Sequence, residues 1–120
     1  IYYPALKDVA GIIRSFNYAA FAASFDSAEN SPDGYEPQPV SSLCFQWEEA
    51  SCKGFLDGYF NSLREGGAGF LPQENRELAE KALGLFILDK ALYEIEYEIN
   101  NRPDWVDIPL SGIARIMEAR

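Results

Sequence analysis

Between Tyr93 and Arg102 the chain crowds carboxylates, phenols, amides and a guanidinium into one stretch, Tyr93-Glu94-Ile95-Glu96-Tyr97-Glu98-Ile99-Asn100-Asn101-Arg102, followed at once by Pro103-Asp104-Trp105. At about 100° per helical residue, Glu94, Tyr97, Glu98 and Asn101 fall on one stripe, with Arg102 at its edge. Carboxylates accept hydrogen bonds from hydroxyls, and a guanidinium donates in a fixed planar fork. Beside the aromatic faces of Tyr97 and Trp105, such a set suits a polyhydroxylated ligand of carbohydrate type. The same stripe also serves as the solvated face of an amphipathic helix, with Arg102 complementing the carbonyl dipoles at the helix end for about 0.3–1 kcal/mol. Trp105 reads as a stacking platform or, preferably, as an anchor for the turn that follows. Spacing alone leaves both uses open.

A long helix must carry this stripe, beginning near Gln73 after Pro72 and running to Arg102, where Pro103 stops it. Leu78, Leu85, Leu92 and Ile99 recur at sevens along it, with Leu88 and Ile95 between them, which predicts a seam packed against neighbouring helices and the polar stripe roughly opposite. Lys81 in a seam position and the few heptads favour packing within the chain over a coiled-coil dimer. An earlier helix is expected over Lys7 to Ser24, with Val9, Ile12, Ile13, Phe16, Ala19, Ala20 and Ala23 on its apolar face. A second is expected over Leu43 to Leu63, carrying Trp47, Phe55, Leu56, Tyr59, Phe60 and Leu63.

Residues 26–42, rich in Ser, Asn, Asp and Gly with Pro32, Pro37 and Pro39, are expected to form a mobile loop. Gly66-Gly67-Ala68-Gly69 follows a helix, lacks the Lys-Ser/Thr ending of a phosphate-binding loop and reads as a hinge. A last helix over Ile108 to Glu118 has Pro109 in its first turn and Leu110, Ile113, Ala114 and Met117 on one face. With no strand pattern, the expected fold is all-α, a helical array forming a single unit over residues 1–120.

A chain of 120 residues suits one domain with a modest core. Its net charge of −9 opposes nucleic acid and anionic lipid, and no local basic pocket for a nucleoside triphosphate is visible. No apolar run approaches the roughly 20 residues of a membrane span. Cys44 and Cys52 lie about 12 Å apart along a helix, too far for a disulfide. They read as apolar filler in a reducing, cytoplasmic setting. Without histidine the common zinc sites are missing, so no metal site is expected. A start at Ile1 and a single Met117 read as a piece of something longer.

Two segments, Leu6-Lys7-Asp8-Val9-Ala10-Gly11-Ile12-Ile13-Arg14-Ser15-Phe16-Asn17-Tyr18-Ala19-Ala20 and Tyr93 to Ile113, resemble in the same order the C-terminal helical region of maltokinases. These aminoglycoside-phosphotransferase-like kinases are often fused to a trehalose synthase domain. The resemblance implies a kinase-like C-lobe subdomain that binds maltose, while ATP and magnesium are held by a preceding kinase region not contained here, so the fragment alone should be inactive. Carried over residue by residue, it makes Glu94, Tyr97, Glu98 and Arg102 maltose contacts, with Asn101 and Tyr93 as further members. It also casts Asp8, otherwise an N-cap or first-turn acid, as structural support of a catalytic loop. Arg14 is left to pair with an acid elsewhere in the parent. Catalytic residues are expected outside this fragment. The alternatives are a related kinase for another sugar such as glucosamine, or a non-catalytic helical interaction module.

Overall fold

The computed structural model describes residues 2–29, 38–65 and 73–118. Its elements are α1 (Tyr2–Glu29), α2 (Gln38–Glu65), α3 (Gln73–Asn101), a 3-10 turn over Pro103–Trp105, and α4 (Asp107–Glu118). Among the described residues there is no strand, so the fold is the expected all-α helical array. No helix of the described residues is long and apolar enough to cross a membrane.

Helix boundaries follow local chemistry. Nothing in Asp26-Ser27-Ala28-Glu29 breaks a helix, so α1 continues beyond Ser24 to Glu29. Pro39 is the second residue of α2, where its missing N–H costs no helical bond, so α2 starts at Gln38, before the expected Leu43. Both ends trim the loop expected over 26–42, and its middle, 30–37, lies outside the described residues. So does the glycine cluster Gly66–Gly69. Pro103 ends α3 as expected, leaving Arg102 extended at φ −145°, ψ 72°. The Arg102 N–H still donates to the Glu98 carbonyl at 2.7 Å, and the Trp105 N–H donates to the Arg102 carbonyl at 2.8 Å, which turns the chain into α4.

α1 is the central element and packs against α2, α3 and α4. Leu6, Val9 and Ala10 of α1 meet Leu83 of α3, with Ile13, Phe55, Leu56, Tyr59, Ala82, Phe86 and Ile87 packed around them. This apolar core occupies one end of the α1–α3 contact. Phe60 is buried at the same end, under the Arg76 guanidinium 4.9 Å from its ring centroid.

The rest of the interface is polar, which overturns the expected seam. Leu78, Leu85, Leu92 and Ile99 face outward, at 66, 67, 54 and 58% exposure. The face of α3 turned inward carries Leu83, Ala91 and Glu98, all buried, with Ile87 and Glu94 half-buried. α4 behaves alike. It buries Ile108, Pro109 and Gly112, while Leu110 and Met117, expected on its inner face, stand in solvent. On α1, Ile12, Ala19 and Ala23 are exposed, and Arg14, Asn17 and Ser24 take buried places.

The cause lies in Arg14, Asn17 and Tyr18. Burying such groups without partners costs several kcal/mol each, and their acceptors come from carboxylates on the facing helices, Glu94 and Glu98 of α3 for Arg14 and Tyr18 and Glu48 of α2 for Asn17. Gly112 of α4 leaves the room that the Arg14 and Asn17 side chains occupy, and Ala91 is fully buried on the inward face of α3.

Candidate functional site

Three polar contacts surround the middle of α1, two with the last turns of α3 and one with α2 and α4. In the first, Arg14 Nε donates to Glu94 Oε1 at 2.8 Å, with both side chains largely out of solvent. Burial raises the Glu94 carboxyl above the ordinary glutamate range, and the Arg14 charge offsets this only in part. Arg14 therefore has its acid within this chain, not elsewhere in a parent protein.

In the second, Glu98 is 1% exposed and binds Arg102 side-on. Arg102 Nε donates to Oε1 and Arg102 Nη2 to Oε2, both at 2.9 Å, while the Tyr18 hydroxyl donates to Oε2 at 2.6 Å. Desolvation, then the hydrogen bond to Glu98, hold the Tyr18 phenol far above its usual value, so it remains a donor. The Arg102 charge is secured the same way, chiefly by its bond to Glu98.

Aromatic rings frame that guanidinium. Its central carbon lies 4.1 Å from the Trp105 ring centroid and 5.8 Å from that of Tyr97, and the Trp105 ring leans on Tyr18 at 6.3 Å. Trp105 is half-buried, which fits the anchor role. A guanidinium bound through Nε and Nη2 turns Nη1 away from the carboxylate. With the Arg102 side chain 44% exposed, this outer edge is open to adjacent oxygens such as those of a diol.

In the third contact, Asn17 Nδ2 donates to Glu48 Oε1 at 3.2 Å and Arg115 Nη2 donates to Glu48 Oε2 at 2.8 Å. Glu48 is buried between these two donors. Arg14 Nη2 and Asn17 Oδ1 are buried with no hydrogen-bond partner among the described residues. A cavity of about 530 Å³ opens beside Glu48, walled by Phe21, Phe45, Cys52, Ser111 and Arg115. Burial, then the Glu48 charge, push the Cys52 thiol up to about 11.

The sequence-derived set is thus only partly assembled. Glu98 and Arg102 meet with Tyr97 beside them, while Glu94, one turn before Glu98, is held by Arg14 instead. Asn101 is exposed and its Nδ2 donates to the Tyr97 carbonyl at 2.9 Å, closing the helix end. Tyr93 projects into solvent at 66% exposure. Asp8 is exposed in the second turn of α1, so it is neither an N-cap nor a first-turn acid. Tyr18, Arg14, Asn17, Glu48 and Arg115 are site members that spacing within α3 does not reveal. Their signal is the insertion of Arg14, Asn17 and Tyr18 into an otherwise apolar helix. The chain matches no protein-family profile.

Proposed function

We propose that the chain is the C-terminal sugar-binding helical part of a maltokinase-like phosphotransferase. The parent transfers the ATP γ-phosphoryl group to the anomeric hydroxyl of maltose, giving maltose 1-phosphate. In this reading ATP and magnesium are held by a kinase region outside these residues, a trehalose synthase domain is a fusion partner, and Asp8 braces the catalytic loop from its exposed place on α1. The observation that carries the reading is a coincidence. The Tyr93 to Ile113 segment, which resembles the maltokinase sugar wall, is also where an oriented, half-exposed guanidinium stands on Glu98 beside Tyr97 and Trp105. Arg102 would donate to vicinal hydroxyls, and Glu94 Oε2, the oxygen not bound by Arg14, would accept from another.

The complete gene product, assayed with ATP and a panel of maltose, trehalose, glucose and glucosamine, tests this. Maltose should be the preferred acceptor, and Arg102→Ala should raise its KM about tenfold or more with the KM for ATP unchanged. Preference for glucosamine moves the chain to a sister kinase. No sugar phosphorylation at all removes the reading.

A second reading, a non-catalytic helical interaction module, draws on the outward line Leu78, Leu85, Leu92 and Ile99. At seven-residue spacing it runs about 32 Å along α3 and matches the repeat by which a second copy would pack. Sedimentation across a concentration range should then show a dimer that Leu85→Glu with Leu92→Glu abolishes. A monomer at every concentration removes this reading.

A further inference from the structure

Glu98 has the residue type of a sugar contact and the surroundings of something else. At 1% exposure it offers a ligand no surface. Its oxygens are already taken: Oε1 by Arg102 Nε, and Oε2 by both Arg102 Nη2 and the Tyr18 hydroxyl. The acceptor site left on Oε1 is shut off from solvent with the rest of the carboxylate. Tyr18 reaches Glu98 from α1, eighty residues earlier in the chain, and its bond fixes the plane of the carboxylate that Arg102 grips. Trp105 and Tyr97 then limit how far the guanidinium can swing out of that plane.

We propose that Tyr18 and Glu98 are positioning residues: together they hold Arg102 in one orientation, with its Nη1 edge outward to meet a vicinal diol of the sugar, and neither touches the sugar. This rests on the sugar-binding reading above. It differs from that reading in taking Glu98 out of contact with the ligand and bringing in Tyr18. A side-on Arg–carboxylate pair on a mobile surface contributes little, but one whose carboxylate is buried and tied to a second helix is pre-oriented, so less freedom is lost on binding.

The test uses Tyr18→Phe, which removes one oxygen and keeps the ring, and Glu98→Gln, which keeps shape and removes charge. Exchange of the Arg102 Nε–H with solvent, followed by NMR on this chain, reads the orientation without any need for activity. Wild type should protect that hydrogen, and exchange should accelerate about tenfold or more in Tyr18→Phe, and further in Glu98→Gln, at unchanged helical circular dichroism. In the complete gene product the same variants should raise the maltose KM several-fold with the ATP KM unchanged.

Equal exchange in wild type and a folded Tyr18→Phe overturns the positioning role. Faster exchange with an unaltered maltose KM overturns its use in sugar binding. Should the wild-type gene product neither bind nor phosphorylate maltose, the sugar-binding reading fails on its own, and the exchange data still report whether Tyr18 and Glu98 hold Arg102.

Discussion

Arg14 on α1 and Glu94 on α3 stand 2.8 Å apart, eighty residues distant in sequence, with side-chain exposures of only 4% and 13%. Removing one partner of such a pair leaves an uncompensated charge in a place water barely reaches, at a cost of about 3–5 kcal/mol. Arg14→Met should therefore destabilise strongly. Arg14→Met with Glu94→Leu should recover most of that loss, since an apolar pair of similar volume is often neutral. Urea unfolding of the two single variants and the double variant measures the coupling, and additive losses would show that the pair is not coupled.

Glu94 also predicts a pH dependence. Its folded carboxyl titrates above the ordinary glutamate value of 4.5 because burial outweighs the pull of Arg14. Over the interval just above that value, the folded chain keeps a proton that the unfolded chain has released. The contribution of Glu94 to stability is thus fully present below the ordinary value and is lost as pH rises through the folded one. Glu94→Gln cannot lose this proton. Across about pH 4 to 7 the stability of wild type minus that of Glu94→Gln should fall with rising pH. A flat difference would mean that Glu94 titrates normally.

Gly112 of α4 is buried against Arg14, and a Cβ at that position would lie 2.5 Å from Arg14 Nη1 and 3.3 Å from Asn17 Oδ1. Helix propensity alone favours Ala over Gly by about 1 kcal/mol. Here the clash prevails, because the Arg14 guanidinium is enclosed and cannot move without straining its bond to Glu94. Gly112→Ala should lose about 1–3 kcal/mol net, lowering Tm by several degrees in a calorimetric scan. A higher Tm would show room at this contact that the structure does not.

Cys52 should be slow to react. With its thiol raised to about 11 from an ordinary 9.0, its thiolate fraction at neutral pH is about 100-fold below that of an unperturbed cysteine. Iodoacetamide labelling followed by peptide mapping should show Cys52 modified about that much more slowly than in the urea-unfolded chain, with the rate climbing as pH approaches the raised value. Equal rates in the folded and unfolded chain would refute the shift.

Part of this architecture is legible in the local sequence. Pro103 ends α3 because its ring fixes φ and restricts Arg102 before it, and the helices lie where apolar residues recur at three and four. Their ends were less legible, since the polar run Asp26 to Glu29 and the early Pro39 are compatible with helix although they look like loop chemistry.

The tertiary structure decided which faces turn inward. By hydropathy, Leu78, Leu85, Leu92 and Ile99 belong inside and Glu94 and Glu98 outside, and the structure reverses both. A periodicity argument weighs each helix singly, so it cannot register that Arg14, Asn17 and Tyr18 of α1 need acceptors, nor that Glu94, Glu98 and Glu48 supply them from 31 to 80 residues away. By itself the sequence determined that these groups exist and that helices carry them. Pairing across helices decided their surroundings, because a buried donor costs more unpaired than a leucine costs exposed.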